Sequence, residues 1–220
     1  FHQDAFLPVR ETLRGEETTR SRLDRLHDES QSYAIALEKD LRARVFDQVF
    51  PCLASGFARW SAVAEPEAGL DEARLRGVFD GTLTLLYRVL FARYAEAYDL
   101  LPVREVRGYW EISATRLCEE IAEAAGTVQG AVVANLNARY TNDSTRLYER
   151  LLTLARAIAE GDAARNVPLY NGGLFLVSPD NGDDSLEARN GRFLARWRIG
   201  DRDLAMALDG MCRTVDARSH

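Results

Sequence analysis

The chain has 220 residues, of which 46% are hydrophobic and 28% charged, and its formal net charge is −6. That balance is typical of a globular protein and excludes wholesale disorder, a collagen-like repeat and a disulfide miniprotein. An acidic chain is a poor stand-alone binder of nucleic-acid phosphates, although a local basic face is compatible with it.

Helical periodicity dominates. Ala34, Leu37, Leu41, Val45 and Val49 fall at helical spacing and predict a helix over residues 33–50. Pro51 ends or kinks it, and Leu53 and Phe57 suggest a further turn or a second short helix. Residues 64–69 (AEPEAG) predict a loop. Asp71 is the expected N-cap of a long helix, with Glu72 beside the positive end of its dipole. Leu75, Phe79, Leu83, Leu86, Leu90 and Tyr94 trace one apolar face, widened by Val78, Leu85 and Val89. Arg76, Asp80, Thr84 and Arg88 form a narrow polar stripe, so the helix is expected to be central and covered on several sides.

A shorter helix is expected over 112–125, ending at Gly126, and another over 131–138. Ser144 is the expected cap of an amphipathic helix that turns Leu147, Leu151, Leu154 and Ile158 inward and stops at Gly161. Three Asn-Gly pairs follow, at 171–172, 181–182 and 190–191, each a turn signal. Phe193, Ala195, Trp197 and Ile199 alternate with arginines, the period-two pattern of a half-buried strand. With residues 174–177 it could form a small hairpin. Asp201 is the expected cap of a last helix with Leu204, Leu208 and Met211. The fold class expected is therefore mainly α: a multi-helix bundle with a small β-hairpin or irregular element in residues 165–200.

Composition narrows the chemistry. Lys39 is the only lysine, so a Gly-Lys-Ser/Thr phosphate loop and a Glu-x-Lys nuclease motif are both absent. Cys52, Cys118 and Cys212 form no C-x-x-C and read as free core thiols. No segment has the ~18–20 uninterrupted apolar residues of a membrane span, and no signal peptide is recognisable, so no membrane partner is expected. Glu119, Glu120 and Glu123 lack His or Asp neighbours and read as a solvated helix face, as do the mixed charges from Arg10 to Arg25. Trp60, Trp110 and Trp197 read as core or interdomain anchors.

Pro168-Leu169-Tyr170-Asn171-Gly172-Gly173-Leu174-Phe175 is the most specific string in the chain. Its adjacent glycines fit a turn with positive dihedrals or a close backbone approach, pinned to a core by Tyr170, Leu174 and Phe175. The string resembles the P-x-Y-N-G-G-L-F signature that precedes the methyltransferase domain of type IIG restriction–modification enzymes. Related adenine methyltransferases occur in phage-defence systems such as BREX and DISARM. Residues 85–97 (LLYRVLFARYAEA) are similar to the family's "RLLFLLYAE" helix, and Leu100-Leu101-Pro102 to the "LLP" after it. Residues 147–161 resemble its "LW…L…G" segment, and Ile199-Gly200-Asp201-Arg202-Asp203-Leu204 its "I-x-D-x-x-L". The likeness runs over about residues 30–213. It departs where Leu176-Val177-Ser178 stands in place of an acidic residue and where residues 180–190 read as an insertion.

The family's F/P-x-G-x-G cofactor loop and N/D-P-P-Y/F catalytic motif are absent from this sequence. The chain thus reads as a piece of a longer, cytoplasmic, bacterial protein: a lead-in at 1–30, a helical bundle at 31–161, and a loop with closing helix at 162–220. No catalytic, cofactor or metal residue is expected in it. The resemblance implies S-adenosylmethionine as the parent's cofactor and duplex DNA and an intramolecular methyltransferase domain as partners. It also implies adenine-N6 methylation after base flipping, through residues outside this chain. Restriction would be an accompanying activity. Arg189, Arg192, Arg196, Arg198 and Arg202 are the candidate DNA contacts, weighed against a solvated face neutralised by Asp183, Asp184, Glu187, Asp201 and Asp203. A DNA-binding module or a purely structural, oligomerising one are the rival readings.

Overall fold

The computed structural model describes residues 8–13, 16–21, 44–67, 69, 71–105, 108–170, 172–177, 179–180 and 182–212. Residues 33–43 of the first expected helix, Lys39 and the three histidines lie outside the described residues. Residues 1–44 and 45–220 form two compact units.

In the first unit, β1 (Pro8–Leu13) pairs antiparallel with β2 (Glu16–Ser21), from Pro8 opposite Ser21 to Leu13 opposite Glu16. The helix face expected from Arg10 onward is therefore a hairpin through Ser21. Val9, Thr12, Thr18 and Thr19 are β-branched, which favours extended backbone over helix.

The second unit is an all-helical assembly. A π-helical turn (Val45–Val49) leads into α1 (Phe50–Ala64). Pro51 stands in the first turn of α1, directly after the π-helical turn, where the helical hydrogen-bond pattern changes as a proline requires. Then come α2 (Glu72–Ala97), α3 (Ala114–Ala125), α4 (Val132–Arg139), α5 (Arg146–Glu160), α6 (Leu186–Arg196) and α7 (Asp201–Cys212). The mainly α expectation holds. Of the two forms expected within 165–200, the irregular element is present and the hairpin is not: residues 193–196 are helical, Trp197 begins the exit, and the described residues from 162 to 185 are irregular with two 3-10 turns. Asn190-Gly191 is not a turn but lies inside α6. Asn190 Nδ2 donates to Thr84 Oγ1 at 2.9 Å. A Cβ on Gly191 would meet the Leu176 carbonyl oxygen at 2.4 Å, so glycine lets α6 pass against that loop.

The helix ends show how the chain is stitched. Asp71 caps α2 by accepting from Arg74 N at 2.8 Å, as expected. Gly126 and Gly161 follow α3 and α5 at φ 73° and 75°. Ser144 does not cap α5. Asp201 Oδ1 accepts from Leu147 N at 2.8 Å, while Asp201 N donates to Ser144 O at 2.7 Å. In return Asn142 Oδ1 accepts from Asp203 N at 3.1 Å in the first turn of α7, so the first residue of α7 caps α5 and the loop before α5 caps α7.

Two hydrophobic clusters result. One gathers Leu53 and Phe57 of α1, Leu85 and Val89 of α2, Ile121, Leu136, Tyr148, Leu194 and the inner face of α7. The other gathers Ala92 and Ala95 of α2, Tyr109, Leu154 and Ile158 of α5, Val167 and Phe175. Helices α2 and α5 run through both. Cys118 and Cys212 are joined as a disulfide with Cα atoms 6.2 Å apart, which corrects the expectation of free thiols at both positions. Their separation of 94 residues hides a neighbourhood that the packing of α7 on α3 creates. Cys52 is the free cysteine, and burial pushes its thiol above the ordinary range.

Candidate functional site

The signature loop sits over the second cluster, and α2 holds it in place. Arg88 is buried, and no carboxylate pairs with it among the described residues. Its Nε donates to Leu174 O at 2.7 Å and its Nη2 to Leu176 O at 2.9 Å. Two carbonyls on either side of Phe175 are thereby satisfied by one planar fork. Burial lowers the Arg88 pKa to about 10, so the group stays cationic at neutral pH. The guanidinium carbon lies 6.0 Å from the Phe175 ring centroid, and Phe175 itself is buried.

Other anchors complete the mount. Tyr170 Oη donates to Leu100 O at 2.6 Å, and Tyr170 N to Ile158 O at 3.1 Å. Asn166 (φ 58°) donates from Nδ2 to both Glu105 carboxylate oxygens at 2.9 and 3.0 Å. Pro168 is exposed, Leu174 is partly buried against the core, and Asn171 lies outside the described residues. Gly172 is extended at φ −131° and Gly173 opens a 3-10 turn (Gly173–Phe175). Neither has a positive φ, which corrects that part of the expectation. A Cβ on Gly173 would lie 2.7 Å from Glu187 Cγ, so the close approach there is to a side chain of α6 rather than to backbone.

Glu96 is the other buried charge of the helix that carries Arg88. Its carboxylate accepts from Tyr109 Oη (2.8 Å), Ala114 N (2.8 Å), Thr115 N (2.7 Å) and Thr115 Oγ1 (2.6 Å). It thus caps α3 at its positive end together with Ser113. Sequence reading missed both residues as anchors, because charges on a helix are assigned to solvent by default. The available signal was their place inside the family-like run 85–97.

The five candidate arginines divide. Helix α6 brings Arg189, Arg192 and Arg196 to one face, since their spacings of three and four residues are helical neighbours. Arg189 is exposed and carries no partner among the described residues. Arg192 donates to Asp180 O (3.1 Å) and Asp183 O (2.7 Å). Arg196 pairs with Glu65 and lies 4.9 Å from the Trp197 ring, which Arg74 approaches at 5.3 Å. Arg198 turns to Glu149 of α5 at 2.7 Å, and Arg202 stands 4.0 Å from Asp203. Glu120 is bound by Arg116 and Arg150; burial raises its carboxyl, but these guanidiniums outweigh burial and leave it below the ordinary range.

The spaces beside the loop are of two kinds. Under it, Leu85, Arg88, Val89, Leu154, Ala155 and Phe175 enclose about 10 Å³, room for a single water. At its N-terminal side an open cleft of about 360 Å³ is lined by Asp99, Pro102, Glu105, Asn166 and Pro168. No helix among the described residues is long and apolar enough to cross a membrane. No family model, curated protein or solved structure matches the chain.

Proposed function

We propose that the chain is the helical connector of a DNA methyltransferase of restriction–modification or phage-defence type. In this reading it mounts and orients an S-adenosylmethionine-dependent, adenine-N6-specific domain. The observation that carries the reading is the Arg88 clamp. The signature loop is fixed to the longest helix by a buried cation and to α5 by backbone, and it turns Phe175 into the core. Such a loop holds a position; among its described residues it offers no paired acid and base and no open glycine cradle. A loop fixed in this way, shortly before a catalytic domain, sets the angle at which that domain leaves the bundle.

A second reading is direct DNA contact through α6. The shared face of Arg189, Arg192 and Arg196 favours it, and the partners already held by Arg192 and Arg196 oppose it. Titrating the protein with S-adenosylmethionine and with duplex DNA at low and moderate salt separates the two. The connector reading expects no binding of either. Binding of S-adenosylmethionine would overturn it. DNA affinity that falls steeply with salt and is weakened by Arg189→Ala would replace it with the second reading.

A further inference from the structure

Helix α7 is seated by its first turn and its inner side, and its last residue is tied by sulfur. Asp201 N donates to Ser144 O at 2.7 Å and Asp203 N to Asn142 Oδ1 at 3.1 Å, which fixes the first turn to the loop before α5. Leu204, Ala205, Ala207 and Leu208 are buried in the first hydrophobic cluster. Toward its end the helix rises to the surface, where Gly210, Met211 and Cys212 are half-buried. There Cys212, the last residue of α7, is joined to Cys118, which is buried on α3. Their Cα atoms, 6.2 Å apart, lie within the span that a disulfide bridges without backbone movement.

We propose that Cys118 and Cys212 form a reversible redox latch that fixes or frees the last turn of α7. The hydrogen bonds and buried side chains that seat α7 do not pass through the bond, so the helix stays in place when the pair is reduced. Half-buried Cys212 gives a small thiol or disulfide access to the pair, whereas Cys118 behind it is buried. Cys52 does not compete, because burial keeps its thiol protonated and only a thiolate exchanges. Opening takes two electrons and two protons. Two small-molecule thiols supply them: one attacks the S–S bond, the other resolves the mixed disulfide, and they leave joined to each other. Closing is the reverse, with a small-molecule disulfide accepting the two electrons and leaving as two thiols. What the latch acts on rests on the connector reading. There the methyltransferase domain follows α7, so the bond ties its attachment to α3, and the chain works among reduced thiols, where a disulfide is transient.

The test equilibrates the 220-residue protein in glutathione buffers from fully oxidised to fully reduced, quenches it in acid and counts thiols in denaturant. One thiol is expected at the oxidised end and three at the reduced end, in a single two-electron transition with the helical content unchanged. Cys52→Ser should keep the transition, now between no thiols and two, and Cys212→Ser should abolish it. On reduction, hydrogen exchange should rise about 10-fold at the Met211 and Cys212 amides and stay level at Leu204, whose N donates to Gly200 O at 3.0 Å. Three thiols in every buffer, or one thiol in every buffer, overturns the latch. So does a transition that leaves the last-turn amides unchanged. None of these readouts involves S-adenosylmethionine or DNA, so failure of the connector reading shows separately, in the ligand titrations.

Discussion

Arg88 concentrates the logic of this protein in one side chain. A buried cation without a carboxylate partner is costly, and here two carbonyls of the loop offset that cost. The glycines around it differ in what they do. A Cβ at Gly172 meets nothing within 4 Å, and its extended backbone suits any residue. A Cβ at Gly200 would fall 2.6 Å from Asn142 Cα, against backbone that cannot move aside. Gly172→Ala should therefore change stability by less than ~0.5 kcal/mol, whereas Gly200→Ala should cost about 2–4 kcal/mol. Chemical denaturation of the two variants measures both. The glycine that stands out in the sequence, in Asn-Gly-Gly, is thus structurally the more replaceable, and the inconspicuous one in Ile-Gly-Asp is required. A sequence shows turn propensity, but it does not show which loop a helix start will touch.

At the scale of elements, periodicity located the helices well and their faces less well. The spans of α3, α4 and α5 are close to their sequence expectations, and Leu147, Leu151, Leu154 and Ile158 point inward as read. Of the wide apolar surface expected on α2, Val78, Leu85, Leu86 and Val89 are buried while Leu75, Phe79, Leu90 and Tyr94 are exposed, because the core side continues through Ala92 and Ala95. Small residues there let neighbouring helices approach, and a hydrophobicity count gives them little weight. The strand expected at 193–199 failed for a related reason. Its alternation straddles the end of α6, and only Trp197 to Ile199 continue beyond the helix. The caps were readable in part. Asp71 was, because it caps its own helix; Asp201 was not, because it caps a helix 54 residues away. Asp201→Ala should cost about 1–2 kcal/mol and fray the first turn of α5, and Leu147 amide exchange should rise with it. An unchanged melting midpoint would show that water caps α5 equally well.

At the scale of the molecule, α2 is the spine. Its inner side holds the signature loop through Arg88 and the start of α3 through Glu96, while its outer side presents an apolar strip. The loop was recognisable in the sequence by its composition and family likeness, but its anchoring was not, since Arg88 lies 86 residues from Leu174. In the connector reading that loop is a rigid mount. Hydrogen exchange of the Phe175 and Leu176 amides, which donate to Gly172 O at 3.1 Å and Gly173 O at 3.2 Å, tests this most directly. A rigid mount gives protected amides in the native protein. In Arg88→Met exchange there should be about 10–100-fold faster, with the α5 amides still protected, since one lost anchor of about 1–3 kcal/mol opens the loop locally. Free exchange at both amides in the native protein, or protection unchanged in Arg88→Met, would contradict it.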